Sequence, residues 1–388
     1  MACEDHVVTR VAARPPESPP KTLEAPSTTP SLKGAASAGS AITEPPGSEI
    51  TEPPDSEASP PPTSDRGLSI MVNGNEFINQ LDQDVTLHGV NIMGTQWQCL
   101  VGSAFSGPSN EASVEAIASW HVNVVRIPLN EDCWLGINGA PARTAIYHEE
   151  LRRYVDRLHA HGLYAILDLH WSAPGTTLSH IGPGFAGFYE MADREHAPAF
   201  WASLASYFAD DHAVLFDLYN EPNNISWSCW RNGCSAPRDY ETAGMQELIE
   251  AIRDAGATQP VMVGGLELAG QLGQEWLENR PVDPQGQLVA SAHVYGYTNA
   301  GKLDRNIGVV ARRFPVVLGE AGESNCADND LQVLLPWADE YGVSYLAWAW
   351  YIGECASYSL ISDYGGTPTD YGLGYREHLI ANFPAPSP

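Results

Sequence analysis

The chain of 388 residues carries a formal net charge of −28 at pH 7. So acidic a balance speaks against nucleic acid and against anionic membranes, both of which call for a basic surface. It leaves a neutral ligand as the natural expectation, with the charge serving solubility. No run of about 18 apolar residues is present, so no membrane-spanning helix is expected.

Residues 1–66 are rich in Pro, Ser, Thr, Ala and Glu, and "ITEPPGSE" (42–49) recurs at once as "ITEPPDSE" (50–57). Such a segment cannot bury a core, and its prolines favour an extended spacer. It reads as a disordered linker or tail. The texture changes at Gly67. The stretch "SIMVNGNEFIN" is expected to form a small hairpin turning at Asn73-Gly74.

Eight apolar runs follow: "LHGVNIMG", "VNVVRIPLN" (122–130), "YAILDLHW" (164–171), "VLFDLYNEP" (214–222), "PVMVGGLE" (260–267), "LVASAHVYG" (288–296), "PVVLGEAGE" (315–323) and "SYLAWAWY" (344–351). Amphipathic stretches such as "HEELRRYVDRLHAHG" and "ETAGMQELIEAIRDAG" lie between them, the second stopping at Gly256. Eight strand–helix units predict an α/β fold, a closed (β/α)8 TIM barrel, over residues 67–388. An open doubly wound sheet would carry a glycine-rich phosphate turn after its first strand, and "GVNIMGTQW" is not one.

In such a barrel the reacting groups sit at the C-terminal strand ends. Here those ends are polar: Arg126, His170, Asn220 with Glu221, His293 with Tyr295, and Glu320, followed by Trp348 and Trp350 on the last strand. Glu221 and Glu320 come from the fourth and seventh strands, which face each other across the mouth. Two carboxylates about 5–5.5 Å apart can cleave a glycosidic bond with retention, one attacking the sugar and the other giving its proton to the leaving oxygen. Seven of the eleven tryptophans, Trp97, Trp134, Trp171, Trp227, Trp230, Trp348 and Trp350, fall at or just past strand ends. Their flat apolar faces suit stacking on sugar rings.

The strands "VVRIPLN", "ILDLHW", "DLYNEP", "SAHVYGY", "VVLGEAGE" and "YLAWAW" resemble the successive signature strands of glycoside hydrolase family 5, the cellulase-type retaining β-glycosidases. The resemblance covers roughly residues 68–384. It implies that Glu221 is the general acid/base and Glu320 the nucleophile, and that Asn220 bonds the sugar 2-hydroxyl. Tyr295 and Arg126 would orient Glu320 and hold it ionised. His170 and His293 would bind sugar hydroxyls or support the acid/base. Trp348 would be the platform under the sugar at the cleavage point, although a two-residue period sets Trp350 on the same face. β-1,4-Glucan is the first substrate reading. β-Mannan, xyloglucan, an exo-acting enzyme on short chains, and a barrel that only binds carbohydrate are the alternatives. The long segment after the first strand, "NIMGTQWQCLVGSAFSGPS", departs from the family pattern and is expected to shape the non-reducing side of the cleft.

Six cysteines lie in the barrel region, none in a CxxC pair, which speaks against a thiolate zinc site. An even set fits three disulfides and an oxidising compartment. The barrel suggests Cys99 with Cys133, Cys229 with Cys234 and Cys326 with Cys355, each bracing a loop on the active rim. His170 and His293 stand alone, with no HxH pair, so no metal or other cofactor is expected. A monomer acting on a β-linked polysaccharide or oligosaccharide outside the cell is the resulting expectation. It stands against an N-terminus, "MACEDHVVTRVAAR", without the apolar core of a signal peptide.

Overall fold

The computed structural model describes residues 67–140, 144–178, 189–296, 299–323, 326–353 and 358–387. The expected linker over 1–66 therefore lies outside the described residues. The described chain begins with the hairpin, in which β1 (Ile70–Asn73) pairs antiparallel with β2 (Glu76–Asn79). Asn73 stands opposite Glu76, so the two turn residues are Gly74 and Asn75, one position later than Asn73-Gly74, and Gly74 takes the left-handed φ of +69°. A two-residue strand β3 (Asp84–Val85) joins the same small sheet. It is too short to leave a periodic signal in the sequence.

Eight parallel strands then close into a barrel: β4 (His88–Ile92), β5 (Val124–Asn130), β6 (Tyr164–Trp171), β7 (Val214–Asp217), β8 (Val261–Gly264), β9 (Leu288–Tyr295), β10 (Val316–Gly322) and β11 (Ser344–Trp350). They pair in chain order, and β11 returns to β4. All eight match the apolar runs, because strands covered by helices outside and packed side chains inside are buried on both faces. Helices such as Thr144–Ala160 and Met245–Asp254 form the outer layer, the second followed by Gly256 at φ +88°.

The hairpin closes the N-terminal end of the barrel. Ile70, Phe77 and Leu87 join one apolar cluster with the inward residues Val124, Ile166, Leu215, Met262, Val289, Val317 and Leu346. The polar strand ends are thereby left at the other, open end. Two disulfides brace loops there: Cys99–Cys133 links the segments after β4 and β5, and Cys229–Cys234 closes a short loop after β7. Cys326 is also disulfide-bonded, while Cys355 lies outside the described residues. Among the described residues no helix is long and apolar enough to cross a membrane.

Peptide mapping without reductant is expected to recover Cys99–Cys133 and Cys229–Cys234 as linked pairs. The first bridge spans 34 positions of sequence. Replacing both of its cysteines with serine should lower the unfolding free energy by about 3–4 kcal/mol, the loop-closure value for a loop of that length. The urea midpoint reads this directly, and free thiols at Cys99 and Cys133 in the unreduced protein would contradict the bridge.

Candidate active site

The open end is organised around Arg126, which points inward from the middle of β5 and is fully buried. Its side chain makes four hydrogen bonds and one further ion-pair contact. Nε donates to Asp217 Oδ2 at 2.9 Å. Nη1 donates to Asn91 Oδ1 at 3.0 Å and to Glu320 Oε1 at 2.9 Å. Nη2 reaches Asn220 Oδ1 at 2.9 Å and Asp168 Oδ2 at 3.0 Å. The residues thus come from β4, β5, β6, β10 and the end of β7. Burial alone would disfavour the cation, but Asp168, Asp217 and Glu320 outweigh it and raise the Arg126 pKa, so the charge is permanent.

Glu320 sits on β10 beside His293 of β9 in the parallel ladder, and Gly322 beside Tyr295. The ladder slips between Leu318 and Glu320. A side chain at Gly319 would lie 3.0 Å from Ser291 Oγ and 3.3 Å from His293 Nε2, and one at Gly322 would lie 2.8 Å from the Tyr295 ring. The two glycines let the neighbouring imidazole and phenol lean across β10 towards the carboxylate. The Tyr295 hydroxyl donates to Glu320 Oε2 at 2.5 Å, and His293 Nδ1 lies 3.6 Å from the same oxygen. Burial pushes the Glu320 carboxyl up, but the charges of His293, Arg126 and His170 and the Tyr295 bond overcome it and leave the pKa below the ordinary 4.5. Glu320 is therefore an anion at neutral pH.

Asn220 and Glu221 lie past the last paired residue of β7, where Asn220 N still donates to Leu169 O at 3.1 Å. With Nδ1 protonated, His293 donates to Glu221 Oε1 at 3.0 Å. Burial would lower the His293 pKa, but the Glu320 charge and the Glu221 bond raise it. A carboxylate oxygen of Glu221, a ring nitrogen of His293 and a carboxylate oxygen of Glu320 all lie within 4.8 Å of one another. His170 Nδ1 donates to Asp168 Oδ2 at 2.6 Å, and its ring lies parallel to Trp348 with centroids 5.5 Å apart.

These groups line a cleft of about 350 Å³ whose walls are Met93, Gln96, Trp97, His170, Trp171, Asn220, Glu221, Tyr295, Glu320, Trp348 and Tyr358. A larger hollow of about 660 Å³ lies among Ser69, Asn79, Asp210 and His212, near the hairpin and away from the paired carboxylates.

Of the seven strand-end tryptophans, Trp97, Trp171 and Trp348 line this cleft, and the other four do not. Trp134 is buried against His148 with its indole N–H on Ser203 Oγ. Trp230 is buried and donates to Gly264 O, and Trp227 packs edge-on against it. Trp350 is buried against Trp120. Expecting these four at the substrate treats every strand-end indole as cleft-facing, whereas large rings there also fill the gap between strands and outer helices. Trp348 and Trp350, inseparable by the two-residue period, part company because the pairing of β11 with β4 slips between Ala347 and Trp350.

Sequence reasoning missed Asn91, Asp168, Asp217 and Tyr358. The Asp168-x-His170 alternation was available as a signal, since both residues face inward from one strand. Tyr358 follows β11 in irregular chain and gave none. The segment after β4 turns at Gly94 into the short helix Thr95–Gln98, where Asn130 Nδ2 donates to Gln96 O and Trp97 reaches the cleft.

Among proteins of known activity, the chain is 25% identical over 330 residues to the endoglucanase CelA of Streptomyces lividans, covering 82% of this chain and 63% of the relative. It is also 25% identical over 257 residues to a mannan endo-1,4-beta-mannosidase of the same organism, covering 63% of this chain and 58% of the relative. The chain thus spans under two thirds of the length of either. The solved structure of the beta-glucanase SdGluc5_26A from Saccharophagus degradans in complex with cellotetraose superposes with a TM-score of 0.62 at 20% identity, over 81% of this chain and 94% of that one. The likeness is one of fold. The cellulase family model, glycosyl hydrolase family 5, matches residues 78–354, which takes in every strand of the barrel, and the chain belongs to that family.

Proposed function

We propose that the protein is a retaining glycoside hydrolase that cuts β-1,4-glucan internally, with Glu320 as nucleophile and Glu221 as acid/base. The observation that carries the reading is the approach of the two carboxylates to within 4.8 Å. Retention needs about 5–5.5 Å between them, whereas inversion needs about 6.5–9.5 Å to admit a water. The anionic state of Glu320 supports its role as attacker. Glu221 protonates the leaving oxygen, then deprotonates the water that releases the glycosyl-enzyme.

The neighbours take supporting parts. Arg126 holds Asn220 by its oxygen, which turns the amide NH2 outward as a donor for the sugar 2-hydroxyl, a bond that strengthens in the transition state. Tyr295 and Arg126 keep one Glu320 oxygen each in place. Trp348, stacked on His170, offers the platform at the cleavage point, with Trp97 further along the cleft. The endoglucanase and beta-glucanase relatives support β-1,4-glucan. The mannosidase relative favours β-mannan as the second reading. A polymeric substrate and disulfide-bonded cysteines support work outside the cell.

Incubation with β-glucans, mannan and xylan, followed by product sizing, tests the substrate. Short internal fragments from β-1,4-glucan are expected, and exclusive cleavage of mannan would select the alternative. Glu320→Ala should abolish turnover with the fold intact by circular dichroism, while Glu221→Ala should slow hydrolysis of the polymer by about 10²–10⁴-fold. Wild-type-like rates in either variant reject the assignment. Because the Glu320 pKa is depressed, the acid limb of kcat/KM should lie below pH 4.5. Tyr295→Phe, which removes a donor to the ionised form, should move that acid limb upward. An unmoved limb would contradict the pairing. Activity should survive exhaustive chelation, since every proposed step is carried by side chains.

A further inference from the structure

Three consecutive residues other than glycine, Glu267, Leu268 and Ala269, adopt left-handed φ angles of +54°, +59° and +58° just after β8. One such residue is uncommon and a run of three is sterically unfavourable at each position, so it persists only where its surroundings hold it. Burial holds only its last residue, since Ala269 is buried but Glu267 and Leu268 are exposed. Hydrogen bonds hold the rest. Gly270 N donates to Glu267 O at 3.1 Å and Gln271 N to Leu266 O at 2.9 Å, closing the turn. Asn306 clamps its base from a π-helical turn, Asp304–Gly308: Nδ2 donates to Gly270 O at 2.7 Å and Oδ1 accepts from Leu272 N at 2.8 Å.

The far side of the turn touches two neighbours of Glu221. Leu268 N donates to Pro222 O at 3.1 Å, on the residue directly after Glu221. Ala269 O accepts from His293 N at 3.0 Å, on the residue whose ring bonds Glu221 Oε1. Regular pairing of β8 with β9 ends at Gly264 opposite Ser291, and the turn continues it to His293. A right-handed or extended turn would present neither Leu268 N nor Ala269 O in these directions.

We infer that the left-handed turn Glu267–Ala269, with Asn306 as its clamp, is a positioning element for Glu221, setting that carboxyl and His293 together for proton transfer to the leaving group. The inference rests on Glu221 being the acid/base. It makes Leu268 and Asn306 positioning residues that touch no substrate.

The test exploits leaving-group chemistry. A cello-oligosaccharide needs its leaving oxygen protonated, whereas a dinitrophenyl β-cellobioside departs without help. Leu268→Gly accepts the left-handed angle and frees the turn, so its melting temperature should hold or rise. Asn306→Ala removes the clamp. Both are expected to lose roughly 10- to 100-fold in kcat on the oligosaccharide, as for a slight misplacement of a catalytic group, with KM unchanged. The burst of dinitrophenolate should match wild type. Asn306→Asp, which keeps the acceptor for Leu272, should lie between. Glu221→Ala is the reference and should show the same split more strongly. If the reference shows no split, the assignment of Glu221 fails and the inference falls with it. If it does, and Leu268→Gly and Asn306→Ala change both substrates equally or neither, the turn is structural and the inference alone is overturned.

Discussion

A single buried cation governs this site. Arg126 makes four hydrogen bonds and a further ion pair to five residues of the barrel, three of them carboxylates. Stripping water from such a set is costly, and only near-complete pairing offsets it. Among the described residues the pairing falls short at Asp168 Oδ1 and Asp217 Oδ1, which have no partner. Burial pushes the Asp217 carboxyl up against the pull of Arg126. Nearby, the Glu320 charge and the Glu221 bond raise the His293 pKa against its burial. The arginine therefore does more than face one glutamate: it fixes the amide of Asn220, ionises Glu320 and, through Asp168, reaches the His170 ring under Trp348.

Much of this was legible in the sequence because a (β/α)8 barrel converts chain order into position. Eight apolar runs ending in polar residues place those residues on one rim without any long-range calculation, and Arg126, His170, Asn220, Glu221, His293, Tyr295 and Glu320 are indeed drawn together. The tryptophans show where that logic stops. Whether an indole at a strand end faces the cleft or the helices depends on bulges of one residue, and a slip in pairing between Ala347 and Trp350 leaves no mark in composition. Tyr358 and the turn after β8 were hidden for a related reason. Asn306 and Pro222 bond the turn from distant segments and Ala349 N bonds Tyr358 O, at residues whose own propensities point elsewhere. Asp168 is different, since its alternation with His170 was visible and its role follows from a partner, Arg126, that was already in view.

The two carboxylates are held by different means. Glu320 sits inside a strand, gripped by side chains of Arg126 and Tyr295 and hemmed by glycines on its own strand. Glu221 lies beyond its strand, where Asn223, Leu268 and the ring of His293 restrain the segment around it, largely through main-chain groups. One is built into the sheet, the other mounted on its edge.

That asymmetry bears on how such a scaffold diversifies. Main-chain restraints need only the backbone path, so side chains that keep the left-handed turn rigid can replace one another on the outward faces of Glu267 and Leu268 while the amide and carbonyl contacts stay in place. The sheet-embedded partner has no such latitude, for every group around it is a specific side chain or a glycine demanded by close approach. Variation therefore has room to work at the Glu221 edge of the mouth, leaving the Glu320 carboxylate and its electrostatic cage untouched.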